Sequence, residues 1–160
     1  MFLGVISDTH GHLWNTQDAA RLLAPFAPEA VIHCGDVGNP RVVEPLAPWK
    51  THYVLGNVDD DPEELREIIA EAGHTFHGRF GKLELAGRKI AFLHSDDQRL
   101  FRETIASGLW DLVCYGHTHL AEQHYEGQTL VLNPGAVYRA NPHSIAVVEL
   151  PGLEVTRLTF

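Results

Sequence analysis

Seven residues of this chain have the chemistry of a metal centre: Asp8, His10, Asp36, Asn57, His94, His117 and His119. They are two carboxylates, one amide and four imidazoles. Each follows a short apolar run rich in strand-forming residues. Met1–Ile6 leads into Ser7-Asp8-Thr9-His10, and Ala30–Cys34 into Gly35-Asp36. His52–Leu55 leads into Gly56-Asn57-Val58-Asp59, Lys89–Leu93 into His94, and Leu112–Tyr115 into Gly116-His117-Thr118-His119. In open α/β sheets the carboxyl ends of strands share one edge, and sites form there. Five such ends therefore predict that the seven residues meet. Asp8 and His10 are two apart, as are His117 and His119, and extended backbone would point each pair to one face. Mixed nitrogen and oxygen ligands suit Mn, Fe, Zn, Co or Ni better than Ca or Mg. Seven ligands exceed the four of a closed structural zinc site. They suit two ions ~3.5–4 Å apart that share a carboxylate, an arrangement used for hydrolysis.

The elements that must position these residues read as follows. Between the first and second strands, Trp14–Leu23 carries Ala19, Ala20, Leu22 and Leu23 at helical spacing and is stopped by Pro25. Val42–Leu46 predicts a short helix limited by Pro45 and Pro48. Pro62–Ala72 predicts a helix with Pro in its first turn, Glu63 and Glu64 near its positive end and Gly73 after it. The second half is richer in hairpins: Leu83–Leu85 with Lys89–Leu93, Gln123–Tyr125 with Thr129–Leu132, and Ser144–Leu150 with Leu153–Phe160. Gln98–Ala106 predicts a helix there, with Asp96 and Asp97 as its caps. Units of βαβ type followed by hairpins imply an α/β chain with mixed sheets. Two packed sheets with helices outside would house this many short strands, in a single domain over residues 1–160.

Composition narrows the function classes. The chain has 160 residues, 44% of them hydrophobic and 21% charged, ordinary values for a globular protein. The formal net charge of −9 argues against a polyanionic nucleic acid as partner. No apolar run reaches the ~18 residues of a membrane span, and the N-terminal residues lack the basic region of a secretory signal. Cys34 and Cys114 lie inside apolar runs, which predicts buried free thiols and a reducing, cytoplasmic setting. Histidine is the abnormal count, at 11.

The ordered set Asp8-Thr9-His10, Gly35-Asp36, Gly56-Asn57-x-Asp59, His94 and Gly116-His117-Thr118-His119 resembles the calcineurin-like metallophosphoesterase superfamily. Short length, the Asn-x-Asp block and Asn133-Pro134-Gly135-Ala136 resemble its small bacterial and archaeal phosphodiesterases, a family that includes the eukaryotic retromer subunit Vps29. The resemblance implies a four-layer α/β/β/α sandwich of two mixed β-sheets, the metallophosphoesterase fold. It implies that one ion takes Asp8, His10 and His119, that the other takes Asn57, His94 and His117, and that Asp36 bridges them. A bridging water or hydroxide would attack the phosphorus of a small phosphate ester in line. Asp36 and Asn57 would act through the metals. Manganese is the first expectation for the two divalent ions, with Ni, Fe, Zn, Co or Mg as alternatives. Two such ions would bring the formal charge from −9 to −5 and focus positive charge at the site.

The chain departs from the family at two places. Many superfamily members carry Asn-His at the third motif, and that His acts as general acid; Val58 stands here and cannot move a proton. A missing acid costs roughly 10²–10⁴-fold on a poor leaving group. Asp59 and His12 are secondary catalytic candidates, although a turn carboxylate orienting Asn57 or a neighbouring loop is the plainer role for Asp59. The fourth motif is His94-Ser95 in place of His-Gly, so Ser95 would shift the loop or place a hydroxyl near phosphate. Asn133 is expected to brace His119. Arg41 and Arg139 could contact phosphate, but a surface position is the plainer reading of each; His33, His52, His74, His77, His124 and His143 are read as structural or surface residues. Two alternatives to a phosphodiesterase stand: a weakly catalytic or non-catalytic Vps29-like interaction scaffold, and a simple metal-binding protein. Edge strands could support a homo-oligomer.

Overall fold

The computed structural model describes residues 1–160. Eleven strands form two sheets. The first sheet has six strands: β1 (Phe2–Ile6), β2 (Ala30–His33), β3 (Lys50–Tyr53), β4 (Thr75–Phe76), β10 (Ser144–Glu149) and β11 (Glu154–Thr159), in the order β11-β10-β1-β2-β3-β4. The second has β5 (Phe80–Leu85), β6 (Arg88–Leu93), β7 (Leu112–Cys114), β8 (Glu122–Glu126) and β9 (Thr129–Asn133), in the order β5-β6-β7-β9-β8. Both sheets are mixed. β1 to β4 run parallel, and so do β6, β7 and β9, whereas the hairpin partners are antiparallel.

Period-two alternation sets the layers. Leu3 and Val5 of β1 face the space between the sheets, where they meet Ile32, Cys34, Phe92, Leu112 and Leu130. Ile6, Val31 and Val147 face the other way, onto helices α1 (Leu13–Leu23) and α2 (Pro62–Glu71). On the far side Ala91, Leu93 and Val113 pack against Leu100, Phe101 and Ile105 of α3 (Gln98–Ala106). The result is the expected α/β/β/α stack, with three apolar seams. No helix is long and apolar enough to cross a membrane.

The elements match the expectations with a few shifts. β3 spans Lys50–Tyr53 rather than 52–55, because Leu55 turns its N–H to the carbonyl of Gly78, outside the ladder. The two-residue strand β4 carries too few residues to show a period. The expected short helix at 42–46 is a 3₁₀ segment, Pro40–Leu46. Pro45 inside it has no N–H to give an α-helical bond. Asp97 caps α3 as expected, accepting from the N–H groups of Arg99 and Leu100, while Asp96 pairs with Arg79 instead. Cys34 and Cys114 are both buried free thiols.

One histidine pair lies away from the strand-end loops. His52 Nδ1 and His77 Nε2 are 3.0 Å apart at the rim of the inter-sheet seam, both against Phe92. Burial, and then the neighbouring His77 and Lys50, push the His52 pKa down to about 4. The unfolded chain therefore binds a proton that the folded chain refuses between pH 6.5 and 4. His52 contributes stability that is present above pH 6.5 and lost as pH falls through about 4. Urea unfolding at pH 7.5 and 4.5 should show the wild type losing about 1–3 kcal/mol more than His52→Gln. Equal losses would mean that the pair has no such role.

Candidate metal centre

The parallel strands β1, β2, β3, β6 and β7 all end at one edge of the stack, and the loops that follow carry all seven predicted residues. Two groups are resolved. In the first, His119 Nε2 lies 3.1 Å from Asp8 Oδ1 and 3.2 Å from His10 Nε2. His10 Nε2 lies 3.7 Å from both Asp8 Oδ1 and Asp36 Oδ2. Ligand atoms of Asp8, His10, Asp36 and His119 all fall within 4.8 Å of one another. In the second group, His94 Nε2 is 3.2 Å from Asp36 Oδ1 and 3.1 Å from Asn57 Oδ1, and the His117 ring centroid is 5.1 Å from that of His94.

The lone pairs of these groups converge without enough protons between them. His94 donates from Nδ1 to the carbonyl of Cys34, and His119 donates from Nδ1 to the carbonyl of Arg139. In that tautomer each ring presents an Nε2 lone pair toward oxygen atoms that are also acceptors. Asp8 Oδ1 is buried and has no hydrogen-bond partner. A buried acceptor left so is costly, and a divalent cation at that point satisfies it. The donor set fits first-row metals, and the carbonyls behind His94 and His119 fix the tautomer as supports of metal-binding imidazoles do.

Electrostatics agree. Burial alone would raise the Asp8 carboxyl, but the adjacent His10 imidazole and the Ser7 hydroxyl that donates to it, with His94 nearby, hold it below its ordinary value. Burial likewise opposes ionisation of Asp36, and the adjacent His94 and the Val58 N–H reverse the sign. For His94, burial disfavours the charged ring, yet the Asp36 carboxylate next to it raises its pKa. Both acids are thus held ready to face positive charge.

The backbone route to this convergence differs from the extended one expected. Asp8, His10, Asp36, His117 and His119 all have left-handed φ, between 45° and 71°. The Asp8/His10 and His117/His119 pairs converge through tight turns and not by strand alternation. Such angles are costly for residues with side chains and cluster at functional sites. Ser95 keeps a left-handed φ of 82°, so the loop is held in a conformation that glycine would favour. Its hydroxyl donates to the carbonyl of Gly116 inside the protein, away from the position expected near phosphate. Asn133 does not brace His119. It donates to the Gly116 carbonyl and to Thr118 Oγ1, and so holds the turn that carries His117.

Asp59 ties two loops together. Its carboxylate accepts from the N–H of Gly38 at 2.8 Å, of Gly56 at 2.8 Å and of Val37 at 3.3 Å. This is the turn-carboxylate role, acting on the loops that hold Asp36 and Asn57. Asp59→Ala strips three backbone donors of their acceptor. Its melting temperature should fall by about 5 °C, from a loss of ~1–3 kcal/mol, and Asp59→Asn should recover part of it. An unchanged melt would show that the three bonds are replaceable by water. His12 caps α1, accepting from the Asn15 N–H, and its ring stacks on Tyr138 with centroids 4.3 Å apart.

Other supports carried little sequence signal. Ser7 Oγ donates to Asp8 Oδ2 at 2.5 Å, and the His117 N–H donates to the same oxygen. His33, expected to be structural, is fully buried and lies 3.0 Å from Thr9 Oγ1, which donates to the Val37 carbonyl. Burial pushes its pKa down to about 3, so the ring stays neutral, as its Nδ1 must to accept from the Gly35 N–H. The Arg139 carbonyl contact is made by backbone, which no residue-type pattern reports.

A fold and a histidine–carboxylate centre of this kind define a class of metal-dependent hydrolases. Residues 1–152 match the calcineurin-like phosphoesterase superfamily domain. The chain belongs to that superfamily. It is 32% identical over 138 residues to Phosphodiesterase MJ0936 of Methanocaldococcus jannaschii, covering 84% of this chain and 83% of that protein. It superposes on an archaeal phosphodiesterase of known structure with a TM-score of 0.92 and 28% identity, over 100% of both chains. Wild-type Vps29 of Entamoeba histolytica, solved in complex with zinc, has the same fold, with a TM-score of 0.67, 16% identity and 99% of each chain covered.

Proposed function

We propose that this protein is a divalent-metal-dependent phosphodiesterase that hydrolyses small phosphate esters at a dinuclear centre in the cytoplasm. Asp8, His10 and His119 would hold one ion, Asn57, His94 and His117 the other, and Asp36 both. The observation that carries this reading is the orientation of Asp36: Oδ2 faces His10 of the first group and Oδ1 faces His94 of the second. Its similarity to phosphodiesterases over nearly the whole chain supports the reaction class. Manganese is the proposed metal, with Ni, Fe, Zn, Co or Mg able to use the same donors.

Bound ions supply an activated water as nucleophile and neutralise charge on the phosphoryl oxygens. The chain's own part is placement. Asp8 and Asp36 stay ionised, His94 and His119 hold their Nε2 atoms toward the centre, and the Asp59 carboxylate joins the two loops beneath. Val58 contributes its backbone N–H to Asp36 Oδ1 at 3.0 Å and offers no proton to a leaving group. Turnover should therefore favour esters whose leaving group departs unprotonated.

The test is hydrolysis of bis-p-nitrophenyl phosphate by metal-stripped protein, with and without Mn²⁺. This diester has a good leaving group, so the missing acid matters least. Hydrolysis that requires Mn²⁺ supports the proposal. A folded, metal-loaded protein that does not hydrolyse it would favour a docking scaffold.

A further inference from the structure

One wall of the candidate centre opens into a cleft of about 610 Å³, a size that holds small-molecule ligands. His119 belongs to both. The remaining walls come from three separate segments: Thr118 and Leu120 after β7, Arg139 and Asn141 before β10, and Arg157 on β11. No carboxylate lines it, in a chain whose formal charge is −9.

The two arginines have no partner in the protein. Arg21, Arg66, Arg79, Arg88 and Arg99 are each paired with an acid, and the other unpaired arginines, Arg41 and Arg102, lie outside the cleft. Arg139 and Arg157 make no ion pair and no side-chain hydrogen bond; the Arg139 guanidinium lies only against the Tyr138 ring, at 6.0 Å. Arg139 is also held where it is. Its backbone carbonyl accepts from the His119 Nδ1–H, and its own φ is left-handed at 59°. The loop that presents this cation is therefore fastened to a candidate metal ligand.

We infer that the cleft binds one arm of the ester substrate and that this arm carries a further phosphate group, recognised by Arg139 and Arg157. The inference rests on the phosphodiesterase reading and adds a substrate class to it. A phosphorus held at the centre beside His119 sends one of its ester arms into the cleft. Guanidinium groups match phosphate oxygens with paired N–H donors, and two unpaired ones on an acid-free wall favour a second anion. The polar lining of Thr118, Asn141 and Thr159 suits a sugar-like linker between the two phosphates.

The test compares thymidine 5′-(p-nitrophenyl phosphate) with the same compound bearing a 3′-phosphate, using Mn²⁺-loaded protein. In both, the water oxygen bonds to phosphorus and the bond to the nitrophenyl oxygen breaks. The electron pair leaves with p-nitrophenolate, and the water's protons pass to solvent. The 3′-phosphate should raise kcat/KM about tenfold or more, the scale of one charge-assisted contact. Arg157→Gln and Arg139→Gln should each cut that preference several-fold, and the double variant should abolish it. No preference in the wild type, or a preference that both variants retain, overturns the inference. If neither compound is hydrolysed, the phosphodiesterase reading fails by itself. Calorimetric titration of thymidine 3′,5′-bisphosphate into metal-free protein then decides the cleft: binding that Arg157→Gln weakens several-fold supports it, and no binding by the wild type overturns it. Arg157 is exposed and unpaired, so its variant should fold normally.

Discussion

Asp36→Asn is expected to lower Mn²⁺-dependent hydrolysis of bis-p-nitrophenyl phosphate by at least about 10²–10³-fold, the scale seen when one preorganised electrostatic group is removed from an active site. The substitution is close to isosteric. The amide oxygen can still accept from the Val58 N–H as Oδ1 does now, so the loop has reason to stay. What is lost is the charge, and with it the second oxygen donor that faces the other group. Metal analysis after dialysis should then find two ions per chain in the wild type and at most one in the variant. A variant that keeps two ions and near-normal hydrolysis would remove Asp36 from the bridging role. A variant that loses activity but unfolds would be uninformative alone, so the thermal melt belongs in the same experiment. Because the folded chain holds the Asp36 pKa below its ordinary value, the charge stabilises the metal-free fold, and the metal-free melt of the variant should fall modestly.

Gly56→Ala is expected to have the second-largest effect, although it adds a single methyl group. Gly56 needs no left-handed φ; it needs the space that a Cβ would take. A Cβ there would meet Asp36 Oδ1 at 2.0 Å and the Asp36 backbone nitrogen at 2.3 Å. The side-chain contact alone could be relieved by a rotamer change, but the backbone contact cannot. The β3 loop must move away from the β2 loop, carrying Asn57 with it and stretching the Gly56 N–H bond to Asp59. Overpacking of this kind costs about 1–3 kcal/mol. A displacement near 1 Å at a reacting centre costs about 10²-fold in rate. Thermal melting and Mn²⁺-dependent hydrolysis measured together should show activity falling far more than stability. Near-wild-type activity would mean that the two loops can separate without moving Asp36 from Asn57. A Cβ at Gly116 would likewise meet Ser7 Oγ at 2.0 Å, so the loop after β7 in the second sheet sits equally close to the loop after β1 in the first.

Much of this molecule was legible in one sequence. Short apolar runs ending in Gly, Asp, Asn or His named the strands, and the recurrence of that ending named the edge. Residue type sufficed there because strand ends in parallel sheets share an edge whatever the packing. The burial of Cys34 and Cys114, the cap at Asp97 and the turn role of Asp59 followed from local pattern in the same way. Two packed sheets also followed, from the number of short strands, but not which sheet each hairpin joins: the last one, β10 with β11, belongs to the first sheet.

Other features needed the folded chain. The left-handed backbone at Asp8, His10, Asp36, His117 and His119 has only a weak residue-type signature: Asp and His enter that region more readily than most residues, but their type does not say which of them do so. It persists through contacts between loops far apart in sequence, such as Asp8 with Gly35 and His10 with Asp36. Asn133 bracing the Gly116 turn, and the Arg139 carbonyl holding His119, are likewise meetings of distant segments. So is the cleft, whose three wall segments become neighbours only when β7, β10 and β11 are placed. The sequence by itself determined which donors are present and that they gather at one edge, because side-chain chemistry and strand polarity are local properties. Only the tertiary structure decided how their lone pairs face one another and which unpaired cations stand beside them, because those relations depend on the path of loops that no period or propensity encodes.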